Sequence, residues 1–475
     1  MISRRRFLQS SLSVALVPLL PRVALSVDLR VRQSWDAFRT GPTYASLRNA
    51  IGLMRANKNA ADPASWAYWP NVHKNFCPHG TTYFLAWHRG FLYRFEGWLR
   101  KVSGDPNLVL PYWNYYVTPQ VPSEFLDPTL SLYHSGRTGT DVTGALSLDP
   151  FADTVIHFPR GTTDAFEPLV EARPHNPVHN LIGGIMSSVY YSPWDPLFWV
   201  HHASIDRLWA AWTAADNGRL QPAATSSYWT GSFQYGPAIK AVPRVWTSTT
   251  TTYFGYQYDD QTLPTSLPGS PPPPTSSALA PAISLAGALP PRPAGIAGPP
   301  LGSSQPLVLD EHSLSVDIML TAQDANRVRS AMLHAATAAA SESGPVCVVL
   351  DQVQLTGLGE RGGYFYKVYL NLPEHPDAGD SDRSFLLGMV GPFEIGVAQM
   401  KAAMRGKGMH GMHAGGSGAA GARLIFPATD TLRRNWPPHL DKLTVSFVRV
   451  DGSKQPAKGA TIRIGAFSVQ ADPVK

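Results

Sequence analysis

Two dense histidine clusters constrain this chain more than any other feature. The second reads H-N-P-V-H from His175 to His179, then D-P-L-F-W-V-H-H-A-S-I-D-R-L-W from Asp195 to Trp209. The first reads H-K-N-F-C-P-H-G from His73 to Gly80, followed by W-H-R-G-F-L from Trp87. Nine of the fifteen histidines lie between 73 and 202, and seven of those sit in these motifs. A lone histidine on an apolar face is ordinarily a satisfied core residue. Three within one short aromatic stretch, His73, His79 and His88, point to a metal instead.

The spacings say how the imidazoles can be presented. His175 and His179 are four apart, so on a helix they share a face, and Pro177 is tolerated in a first helical turn. Asp195 followed by Pro196 is a helix start, with the helix running to about Ala214. His201 and His202 then point about 100° apart, so only one of them faces the centre approached by the 175/179 pair. His88 opens an apolar helical stretch with Phe91, Leu92, Phe95 and Trp98, while His79 before Gly80 reads as a loop. Cys77 reads either as a fourth ligand or as a small buried residue. Asp206 either orients a polar neighbour or pairs with Arg207 or another basic side chain. Three histidines plus three, with no carboxylate among them, disfavour magnesium, calcium and manganese and suit zinc, copper, iron or nickel. Three nitrogens per metal leave open positions, as in a catalytic or gas-binding site. Spacing alone does not choose copper over zinc.

Composition sets the frame. At 475 residues the chain exceeds one ordinary core. It is 44% hydrophobic and 16% charged with thirteen Trp, which is globular. A formal charge of +6 is scattered apart from an N-terminal arginine triplet, so it reads as a solvated surface and no nucleic-acid partner is expected. Two cysteines, Cys77 and Cys347, exclude a disulfide scaffold, and Cys347 reads as strand packing. Residues 1–26 carry Arg4, Arg5 and Arg6, an apolar run from Leu12 to Leu20, and Ala24-Leu25-Ser26 as a cleavage site. This segment resembles a twin-arginine export signal, so a periplasmic or extracellular protein without a stable membrane anchor is expected. The apolar run is short for a membrane span.

The motifs C-P-H-G, F-L-A-W-H-R-G-F-L-Y-R-F-E, P-Y-W-N-Y, P-H-N-P-V-H and D-P-L-F-W-V-H-H-A-S-I-D-R-L-W occur in order between residues 77 and 209. In order and spacing they resemble the type 3 dicopper core of the tyrosinase, catechol oxidase and haemocyanin superfamily. The resemblance implies a mainly α, four-helix bundle holding two copper ions, with dioxygen as co-substrate and a small phenol as substrate. His73, His79 and His88 would bind the first copper, and His175, His179 and His202 the second. His201 corresponds to a non-ligand histidine. Cys77 stands where many members form a thioether to the second ligand, here His79. An o-diphenol would give an o-quinone, and a monophenol would first be hydroxylated at the ortho position. Asn176 matches a residue that in some members holds a water for monophenol deprotonation. Glu171 is its candidate partner, with Glu167 the rival. Gly184 to Ser187 correspond to the substrate mouth, with Met186 and Ser187 the substrate-binding candidates. A haemocyanin-like oxygen carrier is the alternative reading, and a zinc hydrolase or metal-binding structural domain the third. Assembly of identical chains is compatible with all three.

A catalytic domain is expected over 27–260, with helix over 27–53 and a Trp-rich loop at 66–69. Tyr256-Gln257-Tyr258 resembles the family's Y-x-Y closing motif, with Arg30 or Arg32 as its structural counterpart. Residues 261–305 read as a Pro/Gly/Ser-rich linker. Residues 306–475 read as a β-sandwich or jelly roll. Strands are expected at 307–309, 315–320, 346–355, 364–372, 385–389, 442–450 and 461–469, with a helix over 324–340. Y-F-Y-K-V-Y-L-N from Tyr364 resembles the C-terminal domain of plant-type polyphenol oxidases, which covers the copper site and keeps the proenzyme latent. G-M-H-G-M-H from Gly408 reads as a loop, with copper relay as the rival.

Overall fold

The computed structural model describes residues 29–162, 164–215, 218–269, 289–334, 345–377, 381–406, 421–437 and 439–471. The segment read as an export signal and the G-M-H-G-M-H stretch lie outside the described residues. The first half is mainly helical. Strand β1 (Arg30–Arg32) is followed by α1 (Tyr44–Ala56), α2 (Tyr68–Phe76), α3 (Phe84–Ser103), α4 (Asn176–Ile182) and α5 (Pro196–Ala214). Strand β2 (Tyr256–Tyr258) returns parallel to β1, with Arg32 opposite Tyr258.

The two long helices follow their sequence signals. Asp195 accepts the Leu197 N–H at 2.9 Å, and Pro196 starts α5. From Pro196 to Trp212 every residue of α5 is buried, as befits a central helix. Helix α3 ends on Gly104 at φ +71°, a left-handed cap that glycine adopts freely. Two expectations need correction. The stretch 27–53 is not one helix: it holds β1, a short helix Trp35–Phe38 and then α1, because Thr40-Gly41-Pro42 breaks the pattern. The Trp-rich segment is not all loop, since α2 begins at Tyr68 and takes Pro70 into its first turn.

The C-terminal half is a two-sheet β domain. Its elements are β3 (Gly295–Ala297), β4 (Gln305–Leu309), β5 (Leu314–Met319), α6 (Ala322–His334), β6 (Val346–Leu355), β7 (Tyr364–Leu370), β8 (Leu386–Val390), α7 (Pro392–Gly406), β9 (Ala422–Pro427), β10 (Lys442–Asp451) and β11 (Ile462–Ala471). One sheet runs β8-β7-β10-β5-β3 and the other β9-β6-β11-β4. Only β3 pairs in parallel, with β5; the other pairings of both sheets are antiparallel. Val368, Val445 and Phe447 of the first sheet share a buried core with Val348, Leu350 and Phe467 of the second. β3 lies inside the stretch read as linker, and Leu289 is buried against the helical core. Strand β9 and helix α7 were not expected.

Candidate metal centre

Four helices and one loop deliver the histidines. His73 lies on α2, His88 on α3, His179 on α4 and His202 on α5, while His175 caps the start of α4 and His79 sits in the loop before α3. All six are buried. His73, Cys77, His79 and His88 each place one candidate ligand atom within 4.8 Å of the others, and so do His175, His179, His201 and His202. The two groups adjoin: His88 stacks on His202 at 4.4 Å, and His79 lies 5.8 Å from His175.

The tautomers are fixed from behind. His88 Nδ1–H donates to the Phe84 carbonyl at 2.8 Å, His179 Nδ1–H to the Met186 carbonyl at 2.8 Å, and His175 Nδ1–H to Asn176 Oδ1 at 2.7 Å. Each leaves an Nε2 lone pair facing inward. His175 and His202 bring Nε2 to Nε2 at 3.2 Å, His179 and His202 at 3.3 Å, and His73 and His79 at 3.1 Å. Burial, reinforced by the neighbouring imidazoles, pushes His73, His88, His175, His179 and His202 well below the ordinary imidazole range. Neutral nitrogens this close repel unless a cation stands between them. Three nitrogens bonded at about 2.0–2.1 Å to one ion stand roughly 3.3 Å apart, so the donor set fits a metal in each group.

His201 is also within reach of the second group. Its ring stacks on His175 at 5.3 Å and 19°, and neither of its nitrogens meets a polar partner. Burial pushes its pKa down to about 3. The sulfur of Cys77 lies 3.4 Å from His88 Nε2 and is in no disulfide. Phe84, 4.6 Å from His175 and 4.7 Å from His88, and Phe198, 4.0 Å from His202, wall the centre with rings.

Glu171 is buried beside the first group. Its Oε1 accepts the Gly80 N–H at 2.7 Å and lies 3.8 Å from His79 Nδ1, and its Oε2 pairs with Arg160. Burial opposes its charge, but His79, Arg160 and the Gly80 N–H outweigh that and hold its pKa below the usual value. Glu171 is thus engaged with the loop of the first group rather than with Asn176. Glu167, one turn earlier, accepts the Leu85 N–H at 3.3 Å and the Arg160 N–H at 3.2 Å. Burial, with the Glu171 charge adding to it, lifts Glu167 to about 7.

The C-terminal domain closes the centre. Phe393, on the first turn of α7, stacks on His179 at 4.3 Å and 17°, and stands edge-on to His79 and His175 at 5.5 Å each. Its N–H donates to Asn180 Oδ1 at 2.9 Å, and Asn180 Nδ2 donates to Glu394 Oε2 at 2.8 Å. A seam of backbone holds the domain in place: Gly363 N–H to the Asn180 carbonyl at 2.8 Å, and Thr140 N–H to the Gly452 carbonyl at 3.0 Å. Met186 and Ser187 are buried under this cover; Ser187 Oγ donates to the Gly184 carbonyl, and a Cβ on Gly362 would lie 2.6 Å from Ser187 Oγ. No local pattern in the sequence marked Phe393, Asn180, Glu394 or Arg160.

No helix among the described residues is long and apolar enough to cross a membrane. The common central domain of tyrosinase matches residues 52–164 and 137–215. A tyrosinase of Hahella sp. (strain CCB-MM4) is 34% identical over 185 residues, covering 31% of this chain and 40% of the relative. The chloroplastic polyphenol oxidase of Vitis vinifera is 25% identical over 304 residues, half of each chain. The chain thus spans half or less of the length of these relatives. A solved structure of latent apple tyrosinase superposes with TM-score 0.51 at 19% identity, covering 93% of this chain and 97% of that one, which shows a common fold across both domains. Residues 52–215, which carry both histidine groups that fit a dicopper centre, thus match the common central domain of tyrosinase, and a β domain is seated over them.

Proposed function

We propose that this protein is a copper-dependent polyphenol oxidase that converts o-diphenols to o-quinones with dioxygen, hydroxylates monophenols as a second activity, and is held latent by its C-terminal domain. The observation that carries the reading is the phenyl ring already in the centre. A site that seats Phe393 flat on His179 and edge-on to two further imidazoles accepts a phenol ring.

His73, His79 and His88 would hold one copper and His175, His179 and His202 the other. His202 is preferred to His201 because only its Nε2 faces those of His175 and His179. Bound copper supplies the reduction of dioxygen, with two diphenols consumed per dioxygen to give two quinones and two waters. The chain's own residues do the rest. The Nδ1–H anchors of His88, His175 and His179 fix the rings in direction. Phe84 and Phe198 keep water from the reacting ring. Glu171, ionised beside Arg160, would be the base for a monophenol's proton, with Glu167 the rival and Asn176 the residue that would hold an intervening water. Met186 and Ser187 would line the mouth once the domain withdraws. A Cys77–His79 thioether, export through the twin-arginine-like segment and the domain limits 27–260 and 306–475 belong to the same proposal.

The test is copper loading of the full chain, then oxygen uptake with a catechol and with a monophenol, before and after proteolytic removal of the C-terminal domain. Diphenol oxidation should rise on removal at unchanged copper content. Copper binding with no turnover in either form would favour the carrier instead.

A further inference from the structure

Arg89 and Asp206 form a buried ion pair that no part of the proposed chemistry uses, and its position gives it a task. Arg89 follows His88 on α3, and Asp206 lies one turn beyond His202 on α5. Arg89 Nε donates to Asp206 Oδ1 at 2.5 Å, both side chains being at most 3% exposed. The tie spans the same two helices whose imidazoles, His88 and His202, stack at 4.4 Å. One of these histidines belongs to each metal group, so the packing of α3 on α5 is one of the contacts that relates the two groups.

Both partners are locked from outside. Arg89 Nη1 donates to the Thr247 carbonyl at 3.0 Å, and the guanidinium lies 3.3 Å over the Trp209 ring. Asp206 Oδ2 accepts the hydroxyls of Tyr256 and Tyr258 at 2.6 Å each and Arg32 Nη1 at 3.4 Å. Burial would push the Asp206 carboxyl up, but Arg89, Arg32 and the two hydroxyls outweigh it and hold it low. A carboxylate with four donors from three elements has one position available to it.

We propose that the Arg89–Asp206 pair is a positioning device that sets the separation of the two metals by fixing α3 against α5. The proposal rests on the dicopper reading above. It differs from a general structural role because the same buried network contains a comparison. Glu96 takes Arg32 at 2.7 Å, Arg100 at 2.6 Å and the Leu110 N–H at 2.9 Å, but it lies on α3 and, among the described residues, none of these partners is on α5. Losing Glu96 therefore weakens the network without freeing one metal group from the other.

Oxidised copper pairs held at bridging distance are silent in electron paramagnetic resonance, whereas separated ions are visible. The experiment loads wild type, Asp206→Asn, Arg89→Lys and Glu96→Gln with copper as full chains, and measures copper per chain, the visible share of that copper and thermal stability. The wild type should be largely silent. Asp206→Asn and Arg89→Lys should keep their copper while its visible share rises several-fold; Glu96→Gln should lose stability with a silent site. Equal visibility in all four proteins would overturn the proposal. So would loss of copper from both Asp206→Asn and Arg89→Lys, because the tie would then hold the metals rather than space them. A wild type that takes up no copper pair would instead contradict the dicopper reading itself.

Discussion

The ring of Phe393 lies flat against the imidazole of His179, 4.3 Å away and tilted by 17°. On the proposed function, this residue of the β domain occupies the place where a substrate ring would meet the second metal group, so the domain would compete with substrate for the site. Truncating Phe393 to Ala removes about 3–5 kcal/mol of buried contact. Part of that loss opens the ring seat. The full-length Phe393→Ala protein should oxidise catechols at least tenfold faster than wild type, at equal copper content, in initial-rate assays.

Docking itself depends on glycine. A Cβ on Gly452 would stand 2.3 Å from the Leu181 carbonyl oxygen, and backbone there has no slack. Gly452→Ala should push the domain off the helical half without touching any histidine. Diphenol oxidation and protease sensitivity should rise together; a latent, protease-resistant Gly452→Ala protein would count against the seam.

Glu171 is the residue through which monophenol chemistry should fail first. General-base assistance is worth roughly 10²–10⁴-fold, and diphenol oxidation does not need as strong a base. Glu171→Gln should lower monophenol hydroxylation by about 10²-fold and diphenol oxidation by much less. Parallel loss of both would assign Glu171 to holding Gly80 and the His79 loop alone.

Glu167 carries a pH signature. Its folded pKa, about 7, is above the ordinary 4.5, chiefly because it is buried. For an acid shifted upward, the stabilising contribution is fully present below about pH 4.5 and is lost as pH rises through about 7. The loss is on the order of 3 kcal/mol across that window. Glu167→Gln has no such proton to lose. Its thermal midpoint should gain on wild type between about pH 5 and pH 8, and a constant gap would contradict the assignment.

The parts of the centre written in local sequence were legible. Asp195-Pro196 announced α5, the four-residue spacing of His175 and His179 set one shared face, and Gly80 marked the His79 loop. The ambiguity between His201 and His202, which spacing could not lift, is narrowed by the Nε2 contacts of His202. Of the two arginines offered as partner to the Y-x-Y motif, Arg32 is the buried one, 3.7 Å over the Tyr256 ring, while Arg30 is exposed. Asp206 pairs not with its neighbour Arg207, which goes to Asp260, but with Arg89 across the helix interface. Contacts of that kind, like Glu171 with Gly80 or Phe393 with His179, join residues about a hundred or more positions apart or lie between domains. No periodicity or cap records them. Strand β3 escaped notice because three residues, Gly-Ile-Ala, carry no alternation and gain their place only by pairing with β5.

The central claim is that two histidine triads hold a working copper pair. The most direct measurement is copper per chain together with quinone formation from a catechol under oxygen after proteolytic removal of the C-terminal domain, in wild type, His201→Gln and His202→Gln. Two coppers and turnover in wild type, both kept in His201→Gln, and one copper without turnover in His202→Gln is the result this account predicts. A protein that takes zinc in place of copper and leaves catechol untouched, or a His201→Gln variant that loses the second metal while His202→Gln keeps it, would contradict the account.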